Sequence, residues 1–285
     1  MASAMVLCRF LHFTAVLMVF GAWAFKPLLL GSQTLLEPAL TRAARWLAAV
    51  ALVTGVGWLL LTTASMAGDW AAAFDPSTLR LVLADTFFGQ VWLWHLLLCV
   101  ALLALLFTPW RAHLPARLIL SSLVLATLAP VGHGAMFDGL RGQLLILNQL
   151  VHLIAVGAWL GGLMLLVMVL HQPADHPIGD ILRQFSGVGY LLVTALVITG
   201  LINVRALTGQ FWPTPMLSGF ALILLVKVLF VVAMLGLALF NRLRVADAQL
   251  RLPALKTSVT LEWLLGMGAV AAVSQLGTLA PMVAH

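Results

Sequence analysis

Long apolar stretches alternate with short polar breaks along the whole chain. Eight stretches run over about 5–27, 44–66, 87–108, 116–132, 145–170, 184–206, 217–241 and 257–280. A helix needs roughly 20 apolar residues to cross hydrocarbon, and the fourth stretch is the shortest of the eight. The breaks carry turn-forming or charged residues, such as Lys26-Pro27, Gly68-Asp69, Asp75-Pro76, Pro109-Trp110-Arg111, Asp138-Gly139, Gln172-Pro173 and Trp212-Pro213. Backbone groups in lipid must be bonded within their own segment, so each stretch is expected to be a helix. The expectation is an all-α polytopic membrane protein with eight transmembrane helices, forming one helical domain over residues 1–285. The first stretch has no basic region before it and no small-residue cleavage pattern, so it reads as a retained helix.

Charge sets the expected orientation. Lys26, Arg42, Arg45, Arg111, Arg117, Arg183, Arg242, Arg244, Arg251 and Lys256 fall in one set of breaks, and Arg9, Arg80, Arg141 and Arg205 in the other. With Lys227 inside the seventh stretch, these account for all 15 basic residues. The richer side is cytoplasmic by the positive-inside rule. Both termini then face outward, and the break holding Asp69, Asp75 and Asp85 is an outer acidic loop.

Composition agrees with that class. Hydrophobic residues make up 63% of the chain and charged ones 8%, and the mean hydropathy is +1.10. The isoelectric point near 10.4 reflects topology rather than nucleic-acid binding, because the basic residues lie between apolar stretches. Cys8 and Cys99 sit within apolar stretches and form no CxxC pair. No Walker loop, HExxH, GxSxG or dinucleotide fingerprint appears, so no catalytic residues are assigned.

The halves echo each other. Leu11-His12-Phe13-Thr14-Ala15-Val16 in the first helix resembles Val151-His152-Leu153-Ile154-Ala155-Val156 in the fifth. Thr54-Gly55 in the second matches Thr199-Gly200 in the sixth. A duplicated four-helix half would give a 4+4 parallel repeat, since an even number of crossings preserves direction.

The candidate chemistry lies in the histidines. His12, His95 and His152 interrupt apolar stretches, and His133 ends a fourth within Gly132-His133-Gly134. Ionisable groups inside membrane segments are functional candidates. In the expected topology all four share a layer on the outer side, where they are candidate metal ligands. Met5, Cys8 and His12 share a face at i, i+3, i+7, Cys99 follows His95 by four, and Met136 lies just beyond His133. Soft sulfur beside imidazole favours Cu(I). A second polar set, Lys227, Asn203, Glu262 and Asn148, is expected to line a transport path. Arg242 is placed to pair with Glu262 at the cytoplasmic ends of adjacent helices. The remaining histidines, His113, His171, His176 and His285, read as solvated.

These residues resemble the copper resistance protein D (CopD) family. The resemblance is carried by Arg9-Phe10-Leu11-His12-Phe13-Thr14, Gly132-His133-Gly134, Asn148-Gln149-Leu150-Val151-His152-Leu153 and Ala158-Trp159-Leu160-Gly161-Gly162-Leu163. Gly200-Leu201-Ile202-Asn203-Val204, Lys227, Asn241-Arg242 and Leu261-Glu262-Trp263 extend it to the eighth helix. The resemblance implies a bacterial inner-membrane protein of copper homeostasis and copper resistance. It would import copper, as Cu(I) or Cu(II), from periplasm to cytoplasm, supplied by a periplasmic CopC-type carrier. By family pattern His12, His133 and His152 match, with Lys227, Asn241 and Glu262 as associated polar residues. His95 has no clear family counterpart. The alternative is a membrane cytochrome or haem-handling redox protein with haem b held between two histidines. A third reading is a non-transporting subunit that docks a copper carrier.

Overall fold

The computed structural model describes residues 1–31, 36–132, 137–172, 178–213, 215, 217, 219–243 and 252–279. Among these it contains nine α-helices and no strand. They are α1 (Ala2–Leu29), α2 (Glu37–Ala67), α3 (Pro76–Asp85), α4 (Phe87–Leu105), α5 (Leu114–Ala126), α6 (Gly139–His171), α7 (Ile178–Thr208), α8 (Gly219–Leu243) and α9 (Leu252–Leu276). Single 3₁₀ turns occupy Ala71–Phe74 and Pro109–Ala112. Seven helices, all but α3 and α5, are long and apolar enough to cross a membrane.

Two segments depart from the sequence reading. The fourth apolar stretch forms α5, whose 13 residues span about 20 Å at 1.5 Å per residue. Its last turn tightens, with Leu128 N–H donating to Leu125 O and Ala129 N–H to Ala126 O, and Pro130 then precludes further helix. The expected acidic loop between the second and third spans contains α3. Asp75 caps it, accepting from Thr78 N–H at 2.9 Å, and Pro76 occupies the first turn, where a missing N–H does no harm. That Asp-Pro pair was a readable helix start.

The bundle is built around α1. Every residue from Ala15 to Trp23 is buried, as expected of a helix apolar on all sides. It packs most extensively on α6 and also touches α2, α5, α7 and α9. Small residues permit the α1–α6 approach. A Cβ on Gly21 would lie 1.8 Å from Gly157 O, and one on Gly161 would lie 2.5 Å from the backbone of Gly21 and Ala22. Lipid-like solvation does not drive helices together, so such backbone contact supplies much of the attraction. By contrast α7 and α8 leave long apolar rows exposed, including Leu191, Ile198, Leu201, Leu229 and Val232, as lipid-facing helices must.

Charged residues pin both ends of α1. At one end Glu37, opening α2, joins Lys26 of α1 at 2.5 Å and Arg117 of α5 at 2.7 Å. The Arg117 guanidinium also lies 4.1 Å over the Trp23 ring. At the other end Arg9 donates to Gly277 O at 3.2 Å, beyond α9. The start of α1 and the end of α9 therefore share one face of the bundle.

Two outcomes follow. Gly161→Ala should destabilise the protein by about 1–3 kcal/mol or more, because the new methyl meets backbone that cannot turn aside. Gly179→Ala, with open space around it, should leave thermal unfolding in detergent nearly unchanged. Outside the membrane, bonds from the Ser77 and Thr78 hydroxyls and the Thr78 N–H hold the Asp75 carboxyl down at about 2. A depressed folded-state value means the cap acts fully above the usual carboxylate range and is lost as pH falls through about 2. Protection of the Thr78 amide, taken against the unstructured-peptide exchange rate at each pH, should persist at pH 4 and fall near pH 2; its loss already at pH 4 would contradict the cap.

Candidate metal centre

Three histidines inside the bundle are held in one manner. His12 Nδ1 lies 3.0 Å from Thr54 Oγ1, His95 Nδ1 2.7 Å from Thr127 Oγ1, and His152 Nδ1 2.8 Å from Thr199 Oγ1. Each hydroxyl already donates to its own helix: Thr54 to Val50 O at 2.6 Å, Thr127 to Val124 O at 2.8 Å, and Thr199 to Ala195 O. A hydroxyl has one proton. With that proton committed, the oxygen accepts, and ring Nδ1–H is the donor. In the neutral ring Nε2 then carries the bare lone pair. Histidines that bind metals are commonly prepared this way, with one nitrogen hydrogen-bonded and the other free to ligate.

His12 and His95 form a pair. Their ring centroids are 4.9 Å apart, and both side chains are fully buried. Trp58 meets His12 edge-on at 5.6 Å, and Trp92 stacks on His95 at 4.6 Å. Trp92 is itself fixed by donating from Nε1 to Gly55 O at 2.8 Å. Gly55 faces the pair: a Cβ there would be in ordinary contact with His12 Cε1 at 3.5 Å and crowd Leu96 Cδ2 at 3.0 Å. The His12 Nε2 atom is buried with no hydrogen-bond partner. His95 Nε2 lies 3.4 Å from Cys99 Sγ, consistent with the thiol donating to that lone pair. Cys8 Sγ donates to Thr54 O at 3.1 Å, and Met5 packs against the apolar core. Among the described residues no three His, Cys, Asp or Glu side chains converge into a ready-made cage. Two imidazoles with a thiol alongside suit a soft ion content with few ligands better than a hard cation needing six or more.

His152 has a separate set of partners in the second half. Besides Thr199, Lys227 of α8 lies nearby. One turn away Asn148 donates to Thr199 O at 3.1 Å and to Asn203 Oδ1 at 2.9 Å, and Asn203 donates to Gln149 Oε1 at 3.0 Å. These bonds join α6 to α7. The echo between Thr54-Gly55 and Thr199-Gly200 is thus an echo of contacts: the same His–Thr bond forms in each half, with His95 facing His12 in one and Lys227 near His152 in the other.

Glu262 belongs to a third cluster. Its carboxyl is 2% exposed and accepts from Trp159 Nε1 at 3.0 Å and from Asn241 Nδ2 at 3.3 Å. The expected Arg242 partner turns elsewhere, donating to Ser186 O at 3.4 Å and lying 4.1 Å over Tyr190. One residue is 100° of helix, so Asn241 and Arg242 cannot both face α9. His133 and Met136 lie outside the described residues, as do His176 and His285. His113 caps α5 and His171 bonds Val167 O, both exposed. Sequence reasoning missed the three threonines as ring partners, the Trp58–Trp92 enclosure and Gln149. The Thr-Gly echo was the one available signal.

The tautomer is measurable. In ¹⁵N-histidine solid-state NMR of the metal-free protein, His12, His95 and His152 should show protonated Nδ1 and bare Nε2. Thr54→Val should disturb His12 alone of the three. Protonated Nε2 in these rings would contradict the geometry.

Two family profiles match the chain: "Copper resistance protein D-like, N-terminal domain" over residues 1–143 and "Copper resistance protein D" over residues 179–276. The chain is 29% identical to "Inner membrane protein YebZ" of Escherichia coli strain K12, covering 99% of both chains. It is 26% identical to "Copper resistance protein D" of Pseudomonas syringae pv. tomato, covering 84% of this chain and 81% of that one. It is 30% identical to "Copper transport protein CutJ" of Bacillus subtilis strain 168 over half of this chain and 28% of the relative. No solved structure matches. With one profile spanning residues 1–143 of 285 and a second covering most of the remainder, the chain belongs to the copper resistance protein D family.

Proposed function

We propose that this protein is a multi-pass protein of the bacterial inner membrane that binds copper between its helices and carries it from periplasm to cytoplasm. The observation that carries the reading is the buried His12–His95 pair, with Nδ1 of both rings committed to threonine and His12 Nε2 left without a partner. Copper is the cargo. His12 and His95 receive it, with the Cys99 and Cys8 thiols and Met5 as soft neighbours suited to Cu(I). His133, by the family pattern, and Met136, three residues beyond it, join the entry side; both lie outside the described residues. His152 is the counterpart in the second half. Asn148, Asn203, Lys227 and Glu262 line the onward path. A site must bind tightly enough to collect an ion and loosely enough to release it, and two-ligand stations meet that need.

In this reading the termini face the periplasm and a CopC-type carrier supplies the copper. The split of basic residues, ten against four, supports the orientation, as does the shared location of Arg9 and Gly277. The apolar core running through α1, α2, α4, α5, α6, α7 and α9 supports a single helical unit. Bis-histidine haem gains no support. The His12 and His95 rings nearly touch, Trp58 and Trp92 pack against them, and the names of the relatives speak of copper or of the membrane.

Radiocopper uptake into proteoliposomes tests the proposal. The His12→Ala, His152→Ala double variant, and His95→Ala alone, should each reduce uptake by at least about tenfold, the scale on which losing a ligand or its support lowers affinity. Uptake unchanged in the double variant would overturn the site.

A further inference from the structure

At the end of the bundle away from His12, His95 and His152, a cavity of about 360 Å³ opens between the start of α2 and the 3₁₀ turn at Pro109–Ala112. Arg42, Arg45 and Arg111 line it together with Glu37. The one acid is already matched, because Glu37 engages Lys26 and Arg117. None of the three arginines has a carboxylate within ion-pair distance among the described residues. The cavity therefore holds three unmatched guanidiniums.

Arg45 is fixed in place. Its Nε donates to Leu106 O at 3.0 Å and its Cζ lies 4.6 Å over the Phe107 ring, which leaves its terminal amino groups to face a ligand. Arg42 is three residues earlier on the same side of α2, and Arg111 comes from the opposite wall. Guanidinium groups pair with phosphate through paired hydrogen bonds.

The depth of the cavity identifies the source of the phosphate. At about 1.5 Å per residue, the 31 residues of α2 extend about 46 Å, against roughly 30 Å of hydrocarbon. The excess gives its first turns, which carry Arg42 and Arg45, the length to stand in the headgroup layer. Trp46 and Trp110 are 71% and 65% exposed beside the cavity, and exposed tryptophans mark that layer. Basic pockets between membrane helices at this level accept anionic headgroups. We infer that Arg42, Arg45 and Arg111 form a binding site for the phosphate of an anionic phospholipid, with the acyl chains lying along α2 and α4.

Native mass spectrometry of the purified full chain tests this with phosphatidylglycerol and phosphatidylcholine in equal amounts. The wild type should retain phosphatidylglycerol at least about fivefold over phosphatidylcholine. The Arg42→Gln, Arg111→Gln variant removes two exposed side chains, so its fold should persist, and it should lose that preference. Arg80→Gln, Arg141→Gln removes the same charge elsewhere and should keep it. Equal retention of the two lipids by the wild type would overturn the inference, as would an unchanged preference in the Arg42→Gln, Arg111→Gln variant. Displacement of phosphatidylglycerol by millimolar inorganic phosphate would assign the site to a soluble anion and likewise overturn the lipid assignment.

Discussion

A threonine hydroxyl has one proton, and in α2, α5 and α7 the helix backbone takes it. This constraint determines what the buried histidines can do. The oxygen left behind must accept, the imidazole must donate from Nδ1, and Nε2 keeps its lone pair, unpartnered in His12 and beside the Cys99 thiol in His95. Had the three threonines been valines, the rings would be free to adopt either tautomer and any rotation. Had they been carboxylates, a charge would be buried at membrane depth. A back-bonded threonine is the neutral device that orients an imidazole across a helix interface without importing a charge.

Placing those pairs requires helices that meet closely and in fixed register. The glycines at positions 21, 157 and 161 let α1 and α6 touch backbone to backbone, and the Lys26–Glu37–Arg117 cluster and Arg9 hold α1 along its axis. Around that axis the halves repeat one motif with different second members. In the first half the partner of the oriented imidazole is another imidazole, enclosed by tryptophans. In the second it is a lysine, beside a ladder of amides. In the first arrangement the His12 Nε2 lone pair is free and that of His95 faces the Cys99 thiol. The second holds one imidazole, with Lys227 nearby.

Much of the architecture was legible from hydropathy, because a bilayer permits few alternatives for a 20-residue apolar segment. The short α5 was overextended because apolar composition continues to Pro130, while helix ends depend on local hydrogen bonds. Helix α3 was hidden by the aspartates around it, Asp69, Asp75 and its last residue Asp85, although Asp75-Pro76 announced it. Spacing within one helix was equally readable, as His95 and Cys99 show. What the sequence could not supply was pairing across helices. Thr54, Thr127 and Thr199 are ordinary back-bonded threonines until a histidine from another helix arrives, and Trp159 rather than Arg242 meets Glu262 because of helical phase at a contact no linear pattern encodes.

Copper K-edge X-ray absorption on the copper-loaded protein addresses the central claim most directly. Imidazole scattering should be present in the wild type and should fall sharply in the His12→Ala, His95→Ala variant, with the sulfur contribution reporting whether Cys99 joins. A copper environment without imidazole, or one identical in the variant, would contradict the claim that threonine-oriented histidines form the metal site.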